Sequence, residues 1–297
     1  MPWIQINATV AEPLAEPLSD AFMEANAASV TFSDALDQPI YEPNIGATEI
    51  WQQTKVTALY NAEVATAPII EYVLTIMKQL SANQFKTELL EDKDWVRAWM
   101  DQFKPMQFGH NLWIIPSWIK TENLPNKSNP NAVNLFLDPG MAFGTGTHPT
   151  TSLCLTWLDQ NPPKNQTVID YGCGSGILAL AAKKLGAKQV SGTDIDPQAI
   201  SASKENSRRN NADIKFDLVE NFTEKPVDLL LANILSGPLK QLAPEFKKLT
   251  KKGATLVLSG LLETQANGLI LFYESEGFQF IEQNNLDDWS QLSFKKR

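Results

Sequence analysis

Residues 167–180 read Thr-Val-Ile-Asp-Tyr-Gly-Cys-Gly-Ser-Gly-Ile-Leu-Ala-Leu, an order of residue types that specifies a strand, a tight turn and a helix. Thr167, Val168 and Ile169 are β-branched and favour the pleated backbone. Asp170 ends the run, glycines follow at 172, 174 and 176, and an Ala/Leu-rich helical stretch begins. Glycines there let the backbone turn sharply and approach a ligand closely. The N–H groups of the helix start point to the same place. The bland alternative is a tight turn with no ligand.

Glycine spacing narrows the choice. A dinucleotide loop spaces its glycines G-x-G-x-x-G. Here the third glycine comes one residue early, and an acid stands two residues before the first. D-x-G-x-G-x-G resembles the loop of S-adenosylmethionine (SAM) methyltransferases, where the acid faces the cationic amino-acid end of the cofactor. Gly172, Gly174, Gly176 and Asp170 are therefore candidate cofactor-binding residues. A second strand, Gln189–Thr193, leads into Asp194-Ile195-Asp196-Pro197. Asp194 lies 22 residues beyond Gly172, about where a Rossmann-like unit places its ribose-binding carboxylate. Asp196 precedes Pro197 and is placed to cap the next helix.

Bulk properties bound the rest. At 297 residues the chain suits two domains. It has no basic segment leading into an apolar stretch at its start and no apolar run long enough to span a bilayer, so a soluble, cytoplasmic protein is expected. Two cysteines, Cys154 and Cys173, and two histidines argue against a disulfide framework or a metal site. Residues 1–100 hold 14 acidic and 5 basic residues, and the remainder holds 20 of each, so the front third carries the whole net charge of −9. Such a surface repels nucleic-acid phosphate and attracts basic partners. A merely solubilising face is the plainer reading of the charge alone.

The hydrophobic pattern divides the chain. Strands are predicted over Trp3–Thr9, Ser29–Phe32, Val56–Tyr60 and Phe85–Leu90, with helices over Pro13–Ala28 and Ile69–Leu80. That β-α-β-β-α-β order is the ferredoxin-like motif. Trp95–Trp118 is dense in aromatics, which suits packing at a domain junction, and Thr121–Asn131 is a polar loop. Beyond Leu135, strands over Thr167–Ile169, Gln189–Thr193, Ile214–Val219, Val227–Ala232 and Ala254–Leu258 alternate with helices, Pro197–Asn210 the clearest. A mostly parallel, doubly wound sheet follows, closed by a hairpin of Phe278–Glu282 and Ser290–Phe294. The expected domains are residues 1–95, a connector over 96–131, and a Rossmann-like domain over 132–297.

Two further stretches carry chemistry. Asp138–Ser152 reads Asp-Pro-Gly-Met-Ala-Phe-Gly-Thr-Gly-Thr-His-Pro-Thr-Thr-Ser, small and hydroxylated enough to fold tightly over a ligand. Alternatively Thr147 or Thr150 caps a helix running to Leu158. His148, a lone histidine beside a proline, reads as a structural hydrogen-bonder rather than a general base. Val227–Leu235 is a buried strand ending in Asn233, on the same side of the sheet as Gly172 and Asp194, where open α/β sheets bind their ligands. An Asn there can accept N–H bonds from an amine and aim its lone pair at a methyl carbon.

With these residues on the page, the chain resembles the bacterial methyltransferases of large-subunit ribosomal protein eleven, the PrmA family. The resemblance covers nearly the whole chain. It rests on Asp94-Trp95-Val96-Arg97, Phe108-Gly109, Leu112-Trp113-Ile114, Pro116-Ser117-Trp118, the Asp138–Ser152 loop, Asp170–Gly176, Asp194–Pro197 and Ala232-Asn233-Ile234-Leu235. It implies a small N-terminal substrate-recognition domain, a short connector and a C-terminal SAM-binding domain. The implied reaction is methylation of lysine ε-amines and of the N-terminal α-amine of that ribosomal protein, up to three methyls per nitrogen. By position, Thr151 resembles the threonine that contacts SAM, Gly172 the first motif glycine, Asp194 the ribose acid, and Asn233 the residue beside methionine and the incoming amine. Phe143, Gly144 and Thr147 join them as cofactor-binding positions in the loop. Tyr171 stands where relatives often have Phe or Val. The implied partner is a basic protein docked by the acidic domain, with a monomeric enzyme, no membrane and no nucleic-acid readout.

Three rivals remain at this point. One is a methyltransferase of nucleic-acid amines or of another protein; the charge distribution opposes nucleic acid, and Asn-Ile-Leu replaces the Asn-Pro-Pro-aromatic motif of base and glutamine methylators. Another is a non-catalytic SAM-binding or ribosome-assembly protein, disfavoured by the presence of both Asp194 and Asn233. An NAD oxidoreductase has the wrong glycine spacing.

Overall fold

The computed structural model describes residues 2–36, 38, 40, 50–90, 103–138 and 146–297. The chain divides into two compact units, Met1–Met100 and Asp101–Arg297.

In the first unit, β1 (Trp3–Ala11), α1 (Glu12–Glu24), β2 (Ser29–Asp34), β3 (Gln53–Asn61), α2 (Thr66–Ile76) and β4 (Phe85–Leu90) follow in order. The strands form an antiparallel sheet in the order β2-β3-β1-β4, the expected ferredoxin-like arrangement. Strand alternation puts Ile6, Ala8 and Val10 of β1 with Val56, Ala58 and Tyr60 of β3 on one face, where Leu18, Phe22 and Val73 of the helices cover them. The second helix stops at Ile76 rather than at Leu80. Met77 and Leu80 are buried all the same, so apolar spacing continued past the last helical turn.

The second unit opens with a small sheet, β5 (Met106–Phe108), β6 (Leu112–Ile115) and β7 (Val133–Phe136). Two of these strands lie in the stretch read from sequence as a connector. Leu112, Ile114 and Ile115 are fully buried, and a run too short for periodicity to classify finds its place through that burial. Asp159 holds the β5–β6 turn, accepting from the backbone N–H groups of His110 at 2.6 Å and Leu112 at 3.0 Å.

Next come α3 (Pro149–Gln160), β8 (Thr167–Tyr171), α4 (Ile177–Lys184), β9 (Gln189–Asp194), α5 (Pro197–Arg209), β10 (Lys215–Leu218), β11 (Val227–Asn233), α6 (Ser236–Leu249), β12 (Thr250–Leu262), α7 (Glu263–Ser275), β13 (Phe278–Leu286) and β14 (Trp289–Lys296). The seven strands run β10-β9-β8-β11-β12-β14-β13, parallel through β12 and antiparallel in the closing hairpin. Consecutive residues serve opposite faces. Val168, Leu229 and Leu231 pack with Leu155, Leu158 and Leu178 of α3 and α4, while Ile169, Leu230 and Leu256 pack with Phe246 of α6 and Tyr273 of α7. Burial on both faces explains why these strands read as continuous apolar runs. From β8 the sheet builds outward in one direction to β10, and from β11 in the other. The crevice at this switch point, outside the strand ends, is where such sheets take ligands.

Candidate functional site

The glycine loop closes on its neighbouring strand. Gly172, Gly174 and Gly176 have φ of 75°, 52° and 79°, values that side chains strain against. At Gly172 an added Cβ would also lie 2.3 Å from Ile234 Cγ2, so this turn has room only for glycine. The fold-back lets Thr193 O accept from the N–H groups of Gly172 at 2.8 Å and Cys173 at 2.9 Å. Asp194 Oδ2 takes the N–H of Gly174 at 2.9 Å. These loop N–H groups therefore face β9 rather than a ligand, as the pairing of buried backbone donors requires. Asn206 of α5 braces the loop from beneath, its side-chain amide donating to Ser175 O at 2.9 Å.

Both acids are placed by the same loop. Asp194 Oδ1 accepts from the Asp196 N–H at 3.0 Å, which fixes the carboxylate plane. Each oxygen retains a lone pair for a hydroxyl. Asp196 caps α5, accepting from Gln198 N at 2.8 Å, as its place before Pro197 predicts. Asp170 lies under the loop, 1% exposed. Its Oδ2 accepts from Ala179 N at 2.9 Å, and its buried Oδ1 has no hydrogen-bond partner among the described residues. Burial pushes this carboxyl up to about 7; the Ala179 N–H opposes the rise and the Asp194 charge adds to it.

Across the crevice, β11 delivers Asn233. Its Nδ2 donates to Thr151 Oγ1 at 3.3 Å, which orients the amide, and its Oδ1 is buried without a partner among the described residues. Thr151 is 1% exposed on the inner side of α3. The structure thus brings Thr151 to Asn233, and β8 pairs with β11 so that the Gly172 turn meets Ile234. Phe143 and Gly144 lie outside the described residues. Thr147 stands just before the α3 cap.

That cap is His148, not Thr147 or Thr150. Its Nδ1 accepts from Thr150 N at 3.3 Å and lies 2.8 Å from Thr150 Oγ1. Burial lowers its pKa, favouring the neutral ring that such an acceptor needs. The ring meets Trp289 edge to face, with centroids 4.8 Å apart. Sequence reading missed Trp289, because only the return of β14 beside β12 brings it here. Its one signal was a large aromatic in an otherwise polar turn.

Cys154 and Cys173 are free and buried; burial pushes the Cys154 thiol up to about 12 and raises Cys173 further, so neither is a thiolate at neutral pH. Among the described residues no cluster of His, Cys, Asp or Glu fits a metal ion, and no helix is long and apolar enough to cross a membrane.

The donor set fits SAM. Among the described residues Asp170 Oδ1 is a buried acceptor without a partner, and a cofactor with a cationic amino group supplies a donor for it. The Asp194 carboxylate suits a ribose diol, and the Gly172 turn leaves no side chain in the way of a close approach.

Comparison with known proteins agrees. Residues 2–297 match the model of the family described as ribosomal protein L11 methyltransferase (PrmA). The chain is 66% identical over 297 residues to the ribosomal protein L11 methyltransferase of Hydrogenovibrio crunogenus, covering 100% of this chain and 99% of that one. It is 49% identical over 300 residues to the protein of that name from Shewanella sp. strain ANA-3, with both covered in full. Among solved structures, the ribosomal protein L11 methylase of Lactobacillus delbrueckii subsp. bulgaricus superimposes with a TM-score of 0.59 at 31% identity, over 66% of this chain and 100% of that one.

Proposed function

This chain belongs to the PrmA family of SAM-dependent ribosomal protein L11 methyltransferases, and from that premise we propose that it methylates lysine ε-amines and the N-terminal α-amine of ribosomal protein L11. The observation that carries the reading is the buried Oδ1 of Asn233 beside Thr151, unpartnered among the described residues. It is an acceptor without a donor, at the strand end where an amine must arrive.

SAM, when bound, supplies an electrophilic methyl group on a sulfonium. Asp194 would hold its ribose and Asp170 its amino group, with the Gly172–Gly176 turn and Thr151 beside them and Phe143, Gly144 and Thr147 as further contacts implied by sequence position. The chain's own contribution is mostly positional, because holding nucleophile and methyl in line replaces a costly encounter. A free lysine has a pKa of about 10.4, and its ammonium has no lone pair to attack with. The low-dielectric site favours the neutral amine, water takes the proton, and Asn233 Oδ1 accepts an N–H so that the lone pair faces the methyl. One acceptor, rather than a fixed cage, leaves the nitrogen free to turn between the first and second methylations; a neutral dimethylamine has no N–H for Asn233, so a third transfer would not draw on this bond.

The division of labour follows the charge. Residues 1–95 recognise the basic substrate and 132–297 carry the chemistry in the cytoplasm of a monomeric enzyme, with 96–131, whose β5 and β6 belong to the second unit, leading into it. Intact-mass spectrometry of unmodified L11 after incubation with the enzyme and SAM tests the reaction. Gains in steps of about 14 Da on L11, and none on an unrelated basic protein, are expected. Confirmed SAM binding with no mass gain on L11 overturns the assignment of substrate.

A further inference from the structure

A cavity opens along α3, the helix that also carries Thr151. It has a volume of about 280 Å³ and lies between α3, through Leu153, Thr156, Trp157 and Gln160, and the end of β13, through Asn284 and Leu286. Thr151 faces Asn233, and the next residue, Ser152, lines this cavity, so one turn of α3 borders both. Trp289, in contact with His148 at the start of α3, pairs with Leu286 across the hairpin.

The walls are firm and their charge is one-sided. Trp157 Nε1 donates to Glu282 at 2.7 Å, and Asn284 Nδ2 donates to Gln291 Oε1 at 2.9 Å. Leu286 is 41% exposed, an apolar side chain left open to solvent. None of the lining residues is Lys or Arg, whereas Glu282 stands at the wall and Asp287 and Asp288 form the hairpin tip. The sequence from 101 to 297 balances 20 acids with 20 bases, so this acidic corner departs from its surroundings. β13 is also the edge strand of the sheet, and an edge offers backbone groups with which an extended chain can pair.

We propose that this groove binds the polypeptide flanking the target amine, an extended lysine-bearing segment of the basic protein substrate, and so captures that segment at the catalytic unit. The inference rests on the proposed function and adds a docking surface on the catalytic unit itself. The groove supplies binding without touching the reacting atoms. Its loss weakens capture of the protein and leaves the methyl-transfer step alone.

The test is the double variant Leu286→Lys/Asp288→Lys, both positions exposed, assayed with intact L11. A rise in KM for L11 of about ten-fold or more is expected for losing an apolar anchor and a charge, with kcat and SAM affinity unchanged. Hydrogen exchange on the wild-type chain bound to L11 and S-adenosylhomocysteine needs no variant; residues 152–160 and 283–288 should slow. A wild-type KM in the double variant, or exchange at both segments unaltered by L11, overturns the groove while leaving the reaction in place. A wild-type enzyme that leaves L11 unmodified removes the function and the groove together.

Discussion

The two sides of the crevice differ in how much of their polar surface the chain itself pairs. On the β8–β9 side the loop N–H groups are matched within the chain, and the open group is an acceptor beneath them, Asp170 Oδ1. Thr193 O and Asp194 Oδ2 take the loop N–H groups, and Asn206 holds Ser175. On the β11 side Asn233 has its donor satisfied by Thr151 and its acceptor left open. Closing every donor makes a rigid cradle whose shape is independent of what it holds. An open buried acceptor has an energetic cost until a ligand supplies the missing donor. A cofactor that returns in the same form each turnover suits the first side, and an amine that changes with each methylation suits the second.

The strongest way to break this contrast is Asn233→Ala. Removing the open acceptor should lower kcat by about 100- to 1,000-fold, the scale for losing one positioned polar group at a reacting centre. SAM affinity, measured calorimetrically, should stay within a few-fold. Equal losses in both would make Asn233 part of the rigid side. Next is Gly172→Ala, which attacks the cradle. The new Cβ meets Ile234 Cγ2 at 2.3 Å with φ at 75°, and strain of this kind costs on the order of 1–3 kcal/mol. Weaker SAM binding and a lower thermal midpoint should appear together. Adding Ile234→Ala should restore part of both by removing the clash, though not the backbone strain; no recovery would mean that the clash is relieved some other way.

The smallest expected effect sharpens the comparison from beneath the loop. Asp170 sits at about 7 in the folded chain against about 3.9 for a free Asp. Between those values the native state binds a proton that the unfolded chain lacks. This contribution to stability is fully present below about pH 4 and is lost as pH rises through 7. In the ligand-free protein the thermal midpoint should therefore fall by a few degrees between pH 5 and pH 8. Asp170→Asn, whose amide oxygen can still accept from Ala179, should flatten that slope. An unchanged slope in the variant assigns the pH dependence elsewhere.

Much of the cradle was legible because it is local. β-branched residues, alternating glycines and Asp196-Pro197 act through their immediate neighbours, and β8, β9 and the α5 cap all stand where those signals put them. The long-range parts were not. The short β5–β6 strands have no usable period and are defined by burial of Leu112 and Ile114. β12 begins at Thr250 rather than at Ala254, because Thr250 pairs with Val227 ahead of a register shift, beyond which regular pairing resumes at Thr255, and polar Lys251 and Lys252 lie in between. His148 displaced two threonines as the α3 cap, aided by a Trp289 ring that sequence proximity does not supply.

By itself the sequence determined the two-part chain, the doubly wound order, the identity of the cofactor loop and the residue types that can hold a cofactor and an amine. These follow from patterns whose physics operates within a turn or a strand. Only the tertiary structure decided which of those groups are already satisfied and which stay open. It turned the loop N–H groups toward β9, left Asp170 Oδ1 and Asn233 Oδ1 without partners among the described residues, and set the hairpin tip beside α3. Hydrogen-bond saturation and burial depend on every element packed around a group, and no local pattern contains that sum.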